Sequence, residues 1–269
     1  MNYFLGQINF LILVFILASL FYFLKGRKRY DFLGGLLLGF GILVKPTLIL
    51  ILPFIIALSY NRETRKFTFK FKQTIIRLSG SIILIVISGF FFLIYRIMLD
   101  DFIKVNLTGK HTYSIRGDVE VNPSFSLTRI VLISYELLDL NINNFLVLIV
   151  ISLLIFLPIY FLFILSADQP NKIIIGYLIA VTTALIVYFD TWPHHLVVLA
   201  PFMILFMLLY KNFERFTFFK YIHNLLAILT VMLWSLFFLT YEIFPFNLGG
   251  LVLLILLYYN LFIFCKHRI

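Results

Sequence analysis

The chain has 269 residues, of which 62% are hydrophobic and 13% are charged. A water-soluble domain of this size has too little interior to bury such a fraction, so the composition excludes a soluble globular protein. The formal net charge is +10, but Lys and Arg cluster in short segments between apolar runs. That distribution is typical of the positive-inside rule for membrane proteins and does not indicate nucleic-acid binding.

The first predicted element is a spanning helix over residues 4–24. Its length matches the roughly 20 helical residues that cross a bilayer. The basic segment 25–29 follows directly, and basic loops next to spans favour the cytoplasmic side. We therefore expect the N-terminus outside the cell.

Residues 32–59 are apolar except for Lys45-Pro46 in the middle. The basic segment 62–72 follows them, so both ends of this run are predicted to be cytoplasmic. The run is too short for two full crossings at about 1.5 Å per residue. Because Pro46 removes a helix donor and disfavours helical backbone before it, we predict a re-entrant hairpin broken at this dipeptide. The alternative is one long tilted helix with Lys45 facing the bundle, which would invert the topology downstream.

The remaining elements alternate across the membrane. Residues 73–98 cross outward, and residues 100–143 form an outer loop whose second half, 125–138, has the apolar spacing of an interfacial helix. Later apolar runs are 144–166, 173–189, 196–210, 221–241 and 248–264. We therefore predict one integral membrane domain over 1–269, an all-α polytopic bundle in the cell membrane. It has about six full spans, a re-entrant broken-helix hairpin, an interfacial helix and a cytoplasmic C-terminus.

Asp190-Thr-Trp-Pro-His-His195 lies between two of these apolar runs. An ionisable residue in the membrane core costs roughly 2.5–3.5 kcal/mol, so such a cluster typically performs chemistry or binds a polar ligand. An ordinary loop in the headgroup region is the alternative. The predicted topology brings other polar residues to the same outer side: Gln7, Asn9, Lys45, Arg96 and Arg129.

These residue types suit transfer of a phosphate-linked group. Cations bind phosphate, and a carboxylate or imidazole can take a proton from a hydroxyl. Asp190, His194 and His195 are the catalytic candidates. The substrate-binding candidates are Lys45, Gln7, Asn9, Trp192, Arg96 and Arg129, with the Trp192 indole suited to stacking on a sugar. We expect no metal, because adjacent histidines on a helix diverge and do not match the usual spacing of metal ligands.

Four motifs occur in a characteristic order. They are Gly6-Gln-Ile-Asn9, the glycine-rich segment from Gly34 to Lys45-Pro46, Asn122-Pro-Ser124-Phe-Ser126-Leu127, and Trp192-Pro-His194-His195. This order resembles the polyprenyl-phosphate-dependent mannosyltransferases of glycosyltransferase family 87, in the GT-C group. The resemblance implies metal-free transfer of a hexose from a lipid-phosphate carrier to a glycolipid or glycan acceptor on the extracytoplasmic face. It also implies that Lys45 contacts the carrier phosphate and that His194 and His195 line the pocket.

One feature departs from the family pattern. In the family, the presumed catalytic aspartate lies in an outer loop before the Gly-Gln-x-Asn helix, whereas here five residues precede Gly6. We therefore expect an N-terminally truncated part of a larger GT-C bundle, a second chain that supplies the front helices, or a chain that has lost the activity. Asp190 is then the first candidate base, followed by Asp100 or Asp101. Asp190 could equally be an ion-pair partner of Lys45 or Arg96.

Two other functions fit the same sequence. A transporter or flippase for a lipid-linked or anionic solute could use a broken helix with a lysine at its tip. The chain could also be a non-catalytic fragment or partner of a glycosyltransferase.

Overall fold

The computed structural model describes residues 2–61, 64–107, 114–116, 119–121, 124, 126–140, 142–166, 171–189, 191, 193–209 and 248–267. The α-helices in these ranges are α1 (Asn2–Leu24), α2 (Lys28–Val44), α3 (Leu52–Ile55), α4 (Phe71–Ile94), α5 (Arg96–Leu107), α6 (Leu127–Leu137), α7 (Asn144–Leu165), α8 (Lys172–Val187), α9 (Ala200–Leu209) and α10 (Leu248–His267). Two 3-10 helices cover Pro46–Ile51 and Pro193–Val198. The predicted span 221–241 lies outside the described residues.

Across the described residues the architecture is mostly helical, as the composition predicts, and it includes two short β-hairpins. The antiparallel hairpins β1 (Leu58–Asn61)–β2 (Lys66–Phe69) and β3 (Ser114–Arg116)–β4 (Val119–Val121) are the departures from an all-α chain. The first hairpin takes up part of the basic segment that follows α3. Its two strands are joined by a hydrogen bond of 2.7 Å between the Ser59 and Thr68 hydroxyls.

Within the described residues, three helices are long and apolar enough to cross a membrane: α4, α7 and the Gly250–His267 part of α10. Four shorter helical segments in the same ranges are also apolar: Asn9–Leu24, Pro46–Ile55, Lys172–Val187 and His195–Leu209. Much of the α4 surface consists of exposed large apolar side chains, including Phe90, Leu93 and Ile94. Such a surface suits contact with lipid, because apolar area of this extent is unfavourable in water.

Helix α8 is the centre of the bundle. All its residues except Ile173 are buried, and it contacts α1, α6, α7, α9, α10 and the segment Pro46–Ile55. Gly176 allows this segment to come close, because a Cβ there would lie 2.8 Å from the Phe54 Cβ. The buried hydroxyls of Ser19 and Tyr177 form a hydrogen bond of 2.7 Å that ties α1 to α8.

The chain reverses at Lys45-Pro46. Helix α2 ends at Val44, Lys45 has extended backbone (φ −138°, ψ 97°), and Pro46 begins a 3-10 helix that continues into α3. Arg77 of α4 then contacts both arms, binding Asp31 near the start of α2 and the Ile55 carbonyl at the end of α3. The two arms therefore start and finish at one level with Lys45 at the tip, and a single long helix does not form.

Glycines bring α2 and α4 into close contact. A Cβ on Gly35 would collide with the Arg77 carbonyl, and a Cβ on Gly80 would collide with the Phe32 carbonyl. The Ser81 hydroxyl donates to the Gly35 carbonyl over 2.8 Å. Small residues that let helix backbones approach in this way are typical of helix packing in membranes.

Three helices define two ends of the molecule. Phe23 of α1, Asp31 of α2 and Lys172 of α8 lie at one end, which we call the Arg77 end. Ile12 of α1, Lys45 after α2 and Tyr188 after α8 lie at the other, which we call the Lys45 end. At about 1.5 Å per helical residue, the two ends are roughly 20 Å apart. The basic segments around Gly26, Lys70 and Lys172 lie together at the Arg77 end. The charge pattern of the sequence also predicts that these segments share one side of the membrane.

Candidate functional site

Lys45 and His195 both lie at the Lys45 end, although they are far apart in the sequence. Both line a small cavity of about 20 Å³. The other lining residues are Ile12, Thr47, Leu48, Val181, Ala184, Leu185, Tyr188, Thr191 and Val198. A cavity of this size holds about one water molecule and is too small for a sugar or a phosphate.

The helix break positions the Lys45 side chain. The Lys45 backbone N–H still donates to the Gly41 carbonyl over 2.8 Å, so the residue is attached to the last turn of α2 while its own backbone is extended. Its Nζ lies 5.9 Å from the centre of the Tyr188 ring. That distance is at the outer limit of a cation–π contact. The ammonium group is therefore placed beside the segment that leads into Asp190–His195.

Four buried hydroxyl residues, Ser124, Ser126, Thr128 and Thr191, fix the end of α8. The hydroxyls of Thr128 and Ser126 donate to the carbonyls of Val187 (2.5 Å) and Phe189 (3.3 Å), and the Ser124 hydroxyl accepts from the Thr191 N–H (2.9 Å). The last carbonyls of a helix have no partner within the helix. These side chains supply such partners and hold the chain that enters the Asp190–His195 segment.

Ser126 also caps α6, since its side chain accepts from the Arg129 N–H over 3.1 Å. Ser and Thr are favoured at this position because they satisfy an orphan amide of the first turn. The Asn-Pro-Ser motif and the segment before Trp-Pro-His-His are thus in direct contact. The sequence predicts no role for these hydroxyls, because their isolated positions offer no signal.

The other substrate-binding candidates fall into two groups. Asn9 is buried on α1, less than one turn before Ile12 of the cavity wall, and α1 contacts the 3-10 helix Pro193–Val198. Arg129 is 1% exposed in the first turn of α6, next to the hydroxyl residues. Arg96, in contrast, is exposed at the first residue of α5 and does not line the cavity.

Some predicted site residues lie outside the described residues. Asp190 and Trp192 do so entirely. Gln7 lies on α1 and His194 on the 3-10 helix that begins at Pro193, but their side chains are not described. The alternative bases, Asp100 and Asp101, are exposed on α5.

The ion pair at the Arg77 end was not predicted from the sequence. Arg77 Nε lies 2.8 Å from Asp31 Oδ1, with the two side chains 10% and 3% exposed. Gln73 Nε2 also donates to Asp31, over 3.3 Å. A signal was present at Arg77, which lies within the predicted span 73–98, because charges within membrane segments usually pair.

Within the described part of the chain, no three His, Cys, Asp or Glu side chains are grouped as metal ligands would be. The absence of a metal from the reaction stays a prediction. Comparison with models of known protein families, with curated proteins and with solved structures finds no match.

Proposed function

We propose that this chain is a membrane glycosyltransferase, or part of one. It would move a hexose, mannose by the motif resemblance, from a polyprenyl phosphate to a lipid or glycan acceptor. One observation supports the proposal more than any other: Lys45 and His195 line the same cavity. A cation and an imidazole that line one cavity suit a reaction that releases a phosphate and takes a proton from a hydroxyl.

The proposed reaction is a displacement at the anomeric carbon. The acceptor oxygen forms a bond to that carbon while the bond from the carbon to the phosphate oxygen breaks. The electron pair leaves with the phosphate, where the Lys45 ammonium stabilises the added charge. The acceptor proton passes to His195 or Asp190. No metal ion is needed for this balance.

The cavity size restricts where the substrate binds. A volume of about 20 Å³ cannot hold the sugar. The proposal therefore places the donor and acceptor at the mouth of the cavity, against the segment that contains Asp190, Trp192 and His194. The buried hydroxyls of Ser126 and Thr128 would orient that segment without touching the substrate.

We further propose that the Lys45 end faces the extracytoplasmic side. The hairpin of α2 and Pro46–Ile55 would be re-entrant, α6 interfacial, and the bundle would have about six full spans, with the N-terminus outside and the C-terminus cytoplasmic. The gathering of basic segments at the Arg77 end supports this orientation. With Cys265 replaced by Ser, an impermeant maleimide on intact cells should label Glu136→Cys but not Lys66→Cys. Labelling of both or of neither would refute the orientation.

The transfer reaction can be tested with membranes that contain the protein and polyprenyl-phosphate mannose carrying a radioactive sugar. We expect transfer to the acceptor fraction with the unmodified chain and its loss with Lys45→Ala or His195→Ala. Lys66→Ala and His267→Ala remove the same side chains from exposed positions away from the Lys45 end, and they should retain transfer. Unchanged transfer with both Lys45→Ala and His195→Ala would reject the assigned site.

A transporter or flippase of a lipid-linked or anionic solute is the second candidate. It is favoured by the helix break at Lys45 and by a second, larger cavity at the opposite end of the same three helices. Proteoliposomes distinguish the two functions. Movement of the lipid-linked sugar between leaflets without any covalent product would favour the flippase, and a product without such movement would favour the transferase.

A further inference from the structure

A cavity of about 440 Å³ opens at the Arg77 end. It lies between the ends of α1, α3 and α7 and the starts of α4 and α8. Phe23, Phe54, Lys70, Arg77, Phe163 and Lys172 are among its lining residues. The volume is in the range of pockets that bind small molecules, and it is many times that of the cavity at the Lys45 end.

The charge of the cavity wall is positive. Lys70, Arg77 and Lys172 line it, and no acid is among the described lining residues. Asp31 offsets one of these charges through its ion pair with Arg77. Asp31 lines an adjoining cavity of about 390 Å³, together with Lys28, Lys70 and Lys72. The wall as a whole therefore favours an anion, and Lys and Arg together are the usual donors to phosphate.

Two of the cations are held rigidly. Lys172 is 7% exposed, and its Nζ donates to the carbonyls of Ser166 (2.8 Å) and Ile164 (3.2 Å) at the end of α7. Arg77 is held by Asp31 through Nε and by the Ile55 carbonyl through Nη1. Side chains that are already ordered lose little conformational entropy when a ligand binds. Lys70 is exposed at the mouth and remains adjustable.

The rest of the wall is apolar and largely aromatic, with Phe23, Phe54 and Phe163 among the lining residues. A free phosphate ion gains nothing from such a surface. A phosphate ester with an apolar remainder gains from both parts, because the cations bind its charge and the rings bury its carbon atoms. Basic pockets between membrane helices on the cytoplasmic side are known to take anionic lipid headgroups, and the charge pattern predicts that side for this end.

We propose that the cavity at the Arg77 end binds the phosphate headgroup of an anionic membrane lipid. Lys70, Arg77 and Lys172 contact the phosphate, and the aromatic residues contact the glycerol and the first acyl carbons. The site is separate from the one that holds Lys45 and His195, by roughly the length of α8, about 24 Å. Its occupancy does not depend on sugar transfer.

The purified full chain in detergent provides the test, with bound lipid measured by native mass spectrometry. The probes are dioleoyl phosphatidic acid and dioleoyl phosphatidylcholine, added separately. We expect selective retention of phosphatidic acid and about a fivefold loss of its affinity with Lys70→Gln, since one lysine near a lipid surface contributes about that factor. Lys70 is exposed at the N-cap of α4 and makes no side-chain capping bond, so its replacement should leave the fold intact.

Lys66→Gln is the matched control, because Lys66 is an exposed lysine on β2 at the same end and lines neither cavity. It should retain full affinity. Equal retention of the two lipids, or equal losses with Lys70→Gln and Lys66→Gln, would overturn the proposal. Displacement of the lipid by inorganic phosphate at equimolar concentration would also overturn it, because the site would then recognise free phosphate without the apolar part.

Discussion

The Lys45 end and the Arg77 end satisfy their buried polar groups in different ways. At the Lys45 end, the neutral Thr128 hydroxyl binds the last carbonyl of α8, and the Ser126 hydroxyl binds the Phe189 carbonyl that follows it. The described residues there line a cavity of about 20 Å³. At the Arg77 end, a buried ion pair joins the start of α2 to α4, beside a cavity of about 440 Å³. One end is closed by hydrogen bonds to the backbone, and the other is open around charges.

The difference follows from what each end must hold. The loop after α8 needs partners for a few orphan carbonyls, and a hydroxyl on a neighbouring helix suffices for each. The base of the hairpin must keep two arms and α4 in register. Arg77 does so because its guanidinium has several donors in a fixed plane, two of which reach Asp31 and the Ile55 carbonyl. A set of paired variants can separate these two roles.

The largest effect is expected at the ion pair. Asp31→Ala leaves the Arg77 charge buried without its carboxylate and should lower the free energy of unfolding in detergent by about 3–5 kcal/mol. The double variant Asp31→Asn with Arg77→Gln removes both charges and should recover most of that loss. Denaturation with increasing mole fraction of dodecyl sulfate measures both. If the single and double variants lose the same free energy of unfolding, the ion pair does not stabilise the base of the hairpin.

The close contact of α2 and α4 should give the next largest effect. Gly35→Ala places a methyl group against the Arg77 carbonyl, where only backbone could move away, and should cost about 1–3 kcal/mol. Gly89→Ala is the matched control on α4, because a Cβ there meets nothing within 4 Å. It should be neutral or stabilise by up to about 1 kcal/mol. The same denaturation experiment measures the free energy of unfolding of both variants. An unchanged value for Gly35→Ala would contradict the close contact.

The smallest effect is expected at the end of α8. Thr128→Val keeps the side-chain shape but removes the donor to the Val187 carbonyl, and should cost about 1 kcal/mol. Ser134→Ala removes an exposed hydroxyl from the same helix and should have no measurable effect. Hydrogen exchange of the Thr191 amide is a second measurement, since this amide donates to Ser124 beside Thr128. The Thr191 amide should exchange faster in Thr128→Val than in the unmodified protein, and Ser134→Ala should leave its exchange unchanged.

Sequence reasoning reached the helical class and the position of the main helix break. Both depend on local or additive properties: the apolar content, the lengths of the apolar runs, and the missing donor and restricted backbone at Lys45-Pro46. The same reasoning expected Lys45 and His195 on one side of the membrane, and the structure places them on one cavity. Their roles in catalysis stay a prediction, as do those of Asp190 and Trp192.

The composition and the apolar runs by themselves determined that this chain is helical and has helices able to cross a membrane, because lipid leaves a backbone few other ways to satisfy its hydrogen bonds. Only the tertiary structure decided which polar groups meet. Helix packing brings together Asp31 and Arg77 as an ion pair, Thr128 and Val187 as a hydrogen bond, and Phe23 and Lys172 on the wall of one cavity. This packing is set by contacts between distant segments, which no local sequence pattern records.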